Sequence, residues 1–223
     1  MILLQARTTS SRLPAKVLLP VGGLPIAVVC ARRAANTGRE VIVATSDLPS
    51  DDLLAATLDD HGVRCFRGDL DNVLKRFVDA IAGLPGDEIV VRLTADNLFP
   101  DGAFIDVMVE TYQRERCEYL TCGVPESGLP YGMAVEVMRA RHLREALALT
   151  ADAEDLEHVT PYVRRKYGDY PFVALSHRGM TDWRCTVDTL DDYLKVTGLL
   201  RVAGDPVTAP HTHLLDLLAG LPE

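Results

Sequence analysis

Arg7, Arg12 and Lys16 surround a run of four hydroxyl side chains, Thr8, Thr9, Ser10 and Ser11, in the segment ARTTSSRLPAK. Guanidinium and ammonium groups beside hydroxyl and backbone N–H donors suit a phosphorylated anion, arginine acting as a fork and lysine as a point charge. The whole chain carries a formal net charge of -9 at pH 7. Yet up to Arg39 the sequence contains Arg7, Arg12, Lys16, Arg32, Arg33 and Arg39 and no acid before Glu40. Such asymmetry points to an anionic ligand. The same composition also suits a basic surface loop ahead of a helix, and the loop alone leaves both readings open.

Two acids complete the chemistry-bearing set. Asp96 stands in VVRLTADN and Asp188 in WRCTVDTLDD, each at the expected end of a strand. Two such carboxylates in one sheet can share a hard cation, and magnesium is commonly held by one or two carboxylates plus substrate phosphates. Each also has a structural alternative. Asp96 or Asn97 suits a turn, and Asp188 or Thr189 suits the N-cap of a following helix whose first turn holds Asp191 and Asp192. Only their joint occurrence with the basic loop favours the metal reading.

The elements that must position these groups follow from periodicity. MILLQA, EVIVATS, VRCFRG, DEIVVRLTAD and EYLTC read as short buried strands. Between them, helices are expected over GLPIAVVCARRAA, begun by Pro25 and ended by Gly38, over SDDLLAATLDDHG with Ser50 as cap, over DLDNVLKRFVDAIAG, and over DGAFIDVMVETYQRE. Strand–helix alternation of this kind specifies βαβ units and a mainly parallel sheet flanked by helices, an α/β fold. Ligands of such sheets sit beyond the carboxyl ends of the strands, which selects Ala6–Lys16, Thr45–Asp47, Arg67–Gly68 and Thr94–Asn97. After Pro125 the rhythm changes. YGMAVEVM, YPFVAL and WRCTVD are expected as strands, RARHLREALALT and AEDLEHVTPYVRRKYG as helical, and TLDDYLKVTGLLRVAG as a closing helix. With no linker or repeat, residues 1–223 read as one domain with a C-terminal elaboration.

Composition narrows the function classes. A pI near 5.1 argues against nucleic acid as the main partner. Five cysteines with no CxxC favour reduced thiols in a cytoplasmic protein, with Cys117 and Cys122 as core residues. The apolar run VLLPVGGLPIAVVCA is broken by Pro20, Gly22, Gly23 and Pro25, so it suits neither a signal core nor a membrane span. No GxxxxGK[ST], GxGxxG or GxSxG occurs, which removes the P-loop, the dinucleotide fingerprint and the nucleophile elbow.

QARTTSSRLPAKVLLPVGGLPI resembles the signature of the cytidylyltransferases that make CMP-activated acidic sugars, in the branch named after a spore-coat polysaccharide biosynthesis protein. VIVATSDLPSDDLLAATLDDHGVRCFRGDLDNVLKRF, VVRLTADNLFPD, LPYGMAVEVM, EHVTPYV and CTVDTLDDYLKV resemble that branch's further blocks in the same order, over nearly the whole chain. The resemblance implies a Rossmann-like nucleotidyltransferase fold, usually dimeric, that uses CTP and Mg²⁺ on a small-molecule acceptor. It places Arg12 and Lys16 on the triphosphate, Ala6, Arg7, Ser11, Arg67 and Thr94 on the nucleotide, and Asp96 and Asp188 on the metal. Arg12, Lys16, Asp96 and Asp188 thereby form the catalytic set. Arg76, Tyr131, Glu136 and His158 fall on the acceptor side. Two departures stand out: Ala95 where the family commonly has Gly, and Ala134 where it commonly has an acid.

Alternatives remain for the subsidiary residues. His158 also suits a helix surface or the edge of the core, Glu136 the wet face of an alternating strand, and Trp183 simple packing. His211 and His213 read as solvated residues near a proline-containing tail. Two rival functions keep the fold. A sugar-1-phosphate nucleotidyltransferase using another NTP would want a glycine-rich loop where this chain has ARTTSSR. A non-catalytic nucleotide-binding subunit is kept open by Ala95 and Ala134.

Overall fold

The chain was analysed as a computed structural model, which describes residues 1–221. Strand β1 (Ile2–Gln5) is the centre from which the rest is ordered. Its alternating side chains serve two cores at once: Ile2 and Leu4 enter one, and Leu3 enters the other. A two-residue hairpin, β2 (Pro20–Val21) and β3 (Leu24–Pro25), leads into α1 (Ile26–Ala34). There follow β4 (Val41–Ser46), α2 (Asp52–Asp60), β5 (Cys65–Gly68), α3 (Val73–Ala80), β6 (Ile89–Thr94), α4 (Gly102–Glu115) and β7 (Tyr119–Thr121). The C-terminal part adds β8 (Glu136–Arg139), α5 (Ala140–Leu149), α6 (Ala153–His158), α7 (Pro161–Tyr167), β9 (Tyr170–Pro171), α8 (Leu190–Ala203) and α9 (His211–Ala219).

The main sheet has seven strands in the order β5-β4-β1-β6-β8-β7-β9. Pairings β1–β4, β1–β6, β4–β5 and β7–β9 are parallel, and β8 runs antiparallel to both β6 and β7. This is the mainly parallel sheet expected from the sequence. On one face Ile26, Val29, Phe104, Met108, Leu199 and Leu214 bring α1, α4, α8 and α9 into the larger core. On the other face Val73, Phe77, Leu143 and Val163 bring α3, α5 and α7 against Ile42, Val90 and Met138. The chain leaves β1 toward β4 on one side, while β6 lies on the other. A crevice therefore opens between the ends of β1 and β6, as strand-order reversal requires.

Several local expectations need correction. Ser50 does not cap α2, because residues 49–51 form a 3₁₀ turn and Asp51 occupies the N-cap position. YGMAVEVM is a strand only from Glu136, and YPFVAL only at Tyr170–Pro171. WRCTVD forms isolated bridges rather than a strand, Tyr131 with Arg184 and Asn97 with Thr186. The reason lies at Gly132, with φ 112, where an added Cβ would meet the Thr186 backbone nitrogen at 2.5 Å. That close approach seats the segment across the crevice mouth instead of lengthening the sheet. His211 is no solvated tail residue either. It opens α9, places its ring 5.1 Å from that of Phe104, and pairs with the buried Asp101 at 2.9 Å.

Three of the six N-terminal cations also prove structural. Arg33 is fully buried and donates to the carbonyls of Phe99, Pro206 and Ala209. Arg32 donates to His61 O, and Arg39 pairs with Asp106. Of the six, Arg7, Arg12 and Lys16 reach the crevice.

Candidate active site

The loop after β1 folds back on itself through the Ala15 N–H, which donates to Thr8 O at 2.8 Å. Ala15 takes a left-handed conformation, φ 56, uncommon for a residue with a Cβ. Beyond that bend a 3₁₀ turn, Lys16–Leu18, carries the Lys16 side chain inward, where it is buried. Its Nζ donates to Asp96 Oδ2 at 2.9 Å, Asp188 Oδ1 at 2.9 Å and Val187 O at 2.8 Å. Asp96 follows β6 directly. Asp188 arrives on the segment bridged to Asn97, with the Val187 N–H donating to Asp96 O at 2.8 Å.

Asp188 is not spent as a helix cap. Thr189 fills that role for α8, in a reciprocal box with Asp192. Asp188 instead collects cations: Lys16, Arg12 at 2.9 Å, and Arg184 on its second oxygen. Burial pushes the Asp188 carboxyl up, but hydrogen bonding and charge from Lys16, with Arg12 and Arg184, hold it below the ordinary value.

The crevice has a volume of about 440 Å³, and Ala6, Arg7, Ser11, Arg12, Lys16, Thr94, Asp96, Tyr131, His158 and Asp188 all line it. Three expected residues do not. Arg67 donates to Ser46 O and Leu48 O and pairs with Asp52, so it pins the loop after β4. Glu136 is buried behind the crevice, where it accepts from Arg92, Tyr119 and Thr160. Arg76 lies fully buried under Asp69 and Leu70, whose carbonyls accept from its Nη1. Burial, and then the nearby charge of Arg7, lowers the Arg76 pKa. For Arg67 and Glu136 partners from other elements have claimed the charge, while Arg76 is held inside the fold by its own loop, with Nε and Nη2 unpartnered.

The structure also adds residues that the sequence left unmarked. Asp51, fully buried, accepts from the Thr8 N–H at 2.8 Å, Thr8 Oγ1 at 2.6 Å and the Ser46 N–H at 3.1 Å. It thereby ties the basic loop to the end of β4. Burial pushes its carboxyl up, but these donors hold it below the usual carboxylate range. Arg184 stands 4.9 Å over the Tyr131 ring, at the lip of the crevice. His158 is presented by the backbone of the following residue. Val159 has φ 73 and ψ -50, and Thr160 N donates to His158 O at 2.8 Å, the geometry of a rare, strained turn. The only available signal was proximity: Arg184 is four residues from Asp188, and Asp51 sits at a helix start.

These groups can hold a polyphosphate over a cation position. Arg7, Arg12 and the hydroxyls form one wall, and the two carboxylates converge on a single point now held by Lys16 Nζ.

Comparisons with known proteins agree with this architecture. A family model described as Cytidylyltransferase matches residues 1–197. The spore coat polysaccharide biosynthesis protein SpsF of Bacillus subtilis (strain 168) is 33% identical over 233 residues, covering 100% of this chain and 95% of that protein. A cytidylyltransferase structure from Leptospira borgpetersenii serovar Hardjo-bovis superposes with a TM-score of 0.85 at 28% identity, covering 98% of this chain and 92% of the other. A CMP:2-keto-3-deoxy-manno-octonic acid synthetase solved with CTP has a TM-score of 0.65 at 18% identity, covering 90% and 98%, a likeness of fold.

Proposed function

Because the chain belongs to the cytidylyltransferase family, we propose that it transfers CMP from CTP to an oxygen of a small acidic acceptor, releasing pyrophosphate, in the making of a surface polysaccharide. The observation that carries this reading is the meeting of Lys16, Asp96 and Asp188 beneath the hydroxyl-rich basic loop. The chain's residues need form no covalent bond to the substrate. Arg12 and Lys16 neutralise the triphosphate and the departing pyrophosphate, while the crevice holds the acceptor oxygen in line with the α-phosphorus. In this reading Ala6 and Arg7 serve the nucleotide and Tyr131 and His158 the acceptor; all four line the crevice.

A divalent cation suits the donor set. Asp96 and Asp188 offer hard oxygens around one point, and among the described residues no group of three or more His, Cys, Asp or Glu is placed to hold a metal ion by itself. Substrate phosphates would complete the coordination, which favours Mg²⁺. When bound, the ion supplies neutralisation of charge on the phosphoryl oxygens. For the ion to enter, Lys16 Nζ has to leave the space between the carboxylates and turn to the phosphates.

The same reading places the enzyme in the cytoplasm as a homodimer. The five free thiols suit a reducing compartment, and no helix among the described residues is long and apolar enough to cross a membrane. The deciding experiment is pyrophosphate release with each of the four NTPs, with and without Mg²⁺, across a panel of sugar acids and sugar phosphates. Turnover with CTP alone among the nucleotides is expected. Turnover with UTP or dTTP on a sugar 1-phosphate would favour the rival transferase, and no turnover with any NTP would favour a binding subunit.

A further inference from the structure

The cations that meet on the Asp188 carboxylate divide its two oxygens between them. Lys16 Nζ and Arg12 Nη2 both reach Oδ1 at 2.9 Å, whereas Arg184 Nη2 pairs with Oδ2. Lys16 and Arg12 line the crevice, where an incoming triphosphate can draw them off, while Arg184 stands at its lip beside Tyr131. Asp96 is divided in the same way. Its Oδ1 accepts from the Thr94 hydroxyl at 2.6 Å, and its Oδ2 faces Lys16 Nζ. Each acid therefore turns one oxygen to the point between them and gives the other to a protein donor.

Arg184 is anchored independently of the basic loop. Its backbone is clamped against Tyr131, whose N–H donates to Trp183 O at 2.9 Å and whose carbonyl accepts from the Cys185 N–H at 2.8 Å. Its Nε donates to Asp192 Oδ1 at 3.2 Å, and its guanidinium carbon lies 4.9 Å over the Tyr131 ring. Asp192 is held in turn, because its Oδ2 accepts from the N–H groups of Asp188 at 3.1 Å and Thr189 at 3.0 Å. A closed circuit results, from the Asp188 backbone to Asp192, from Asp192 to Arg184, and from Arg184 back to the Asp188 side chain. Such a circuit fixes the rotation of the Asp188 carboxylate.

We propose that Arg184 is a positioning residue: by holding Asp188 Oδ2 it restricts that acid to one-oxygen ligation, and so selects Mg²⁺ over Ca²⁺. The proposal rests on the transferase reading, which puts a divalent cation at Asp188 together with CTP. Mg²⁺ demands near-ideal octahedral geometry, whereas Ca²⁺ is larger, accepts irregular shells and often takes a carboxylate through both oxygens. An oxygen committed to an arginine cannot join such a bidentate contact. Lys16 and Arg12 turn to the phosphates when nucleotide enters, but Arg184 stays, since Asp192 and Tyr131 keep it in place.

The test is a calorimetric titration of CTP into the protein without acceptor, in EDTA, in excess Mg²⁺ and in excess Ca²⁺, so that no turnover is needed. In wild type, Mg²⁺ is expected to tighten CTP binding more than Ca²⁺ does. Arg184→Met is expected to lose about tenfold of the Mg²⁺ effect, the lower end of the cost of removing a group behind a metal ligand. Its Ca²⁺ effect should hold or grow, and its Kd for CTP in EDTA should not change. Arg184→Lys keeps a charge for Oδ2 but not the fork that also reaches Asp192, so it should restore part of the Mg²⁺ preference. Thermal melts report folding, and the lysine variant serves if the methionine variant is unstable. An equal loss with both ions, as general loosening of the site would give, or no loss in a folded variant, overturns the proposal. Wild type that binds CTP equally with and without metal would overturn the cation site and the proposal with it. Wild type that binds no CTP would overturn the transferase reading on which both depend.

Discussion

Replacing Lys16 by methionine keeps the stem of the side chain and removes its charge. The ammonium makes two contacts of 2.9 Å to different carboxylates and a third of 2.8 Å to Val187 O. Without it, Asp96 Oδ2 loses its cation, and Asp188 keeps Arg12 and Arg184. Breaking a buried pair by removing one partner costs about 3–5 kcal/mol. The Asp96 side chain is 27% exposed, so water recovers part of the loss and about 2–4 kcal/mol is expected at pH 7. The pH dependence follows in sign. The Asp188 carboxyl is depressed in the wild type, so it contributes stability above its unfolded pKa of about 3.9 that is lost as pH falls through the folded value. The variant lacks the largest share of that depression. The stability gap should therefore be widest near neutrality and close as pH drops below about 4. Urea unfolding at pH 7, 5 and 3 measures the gap, and pyrophosphate release measures catalysis, where a fall in kcat of about 10²–10³ is expected. A gap under about 0.5 kcal/mol at pH 7, the scale of an ordinary surface change, or a kcat within twofold of wild type, would refute the reasoning.

Asp188→Asn, which keeps the shape and removes the charge, should abolish Mg²⁺-dependent turnover by about two orders of magnitude or more while CTP still binds; a steady-state assay over a range of Mg²⁺ concentrations checks it. Asp51→Ala should release Thr8 and loosen the basic loop, raising KM for CTP more than it lowers kcat. An unchanged KM in a folded protein would contradict the tether. Thr189→Ala removes the cap of α8 and should cost about 1 kcal/mol, read as a lowered Tm with little change in chemistry. His211→Ala should weaken the docking of α9. Hydrogen bonds from His211 help to hold Asp101 below its ordinary pKa against burial, so the stability lost should be present above about pH 4 and vanish in more acid solution. Chemical denaturation at pH 3 and 6 tests the sign.

Much of the candidate site's grouping was legible because its residues sit at turns that local patterning reveals. MILLQA can only be a buried strand, and the loop that follows it must emerge at the carboxyl end of a parallel sheet. Arg12, Lys16 and Asp96 are therefore placed by sequence alone, near one another at the end of two strands. Asp188 was harder, since Asp-Thr before a helix reads equally well as a cap. The structure resolves it by giving the cap to Thr189.

The amino-acid sequence by itself determined the strand–helix alternation, the single fold class and the loop that carries the cations, because these depend on local periodicity and breakers. Tertiary structure alone decided which charges stay available. Arg33, Arg67, Arg76 and Glu136 look from the sequence as suited to ligands as Arg12 does. Each is instead turned away from the crevice: Arg33, Arg67 and Glu136 toward carbonyls, hydroxyls or ion pairs from other elements, and Arg76 into the interior beneath its own loop. Arg12 and Lys16 are paired as well, but with carboxylates inside the crevice, at the place a ligand would enter; whether a charge faces a crevice or the interior is set by distances in space, of which distance along the chain says nothing.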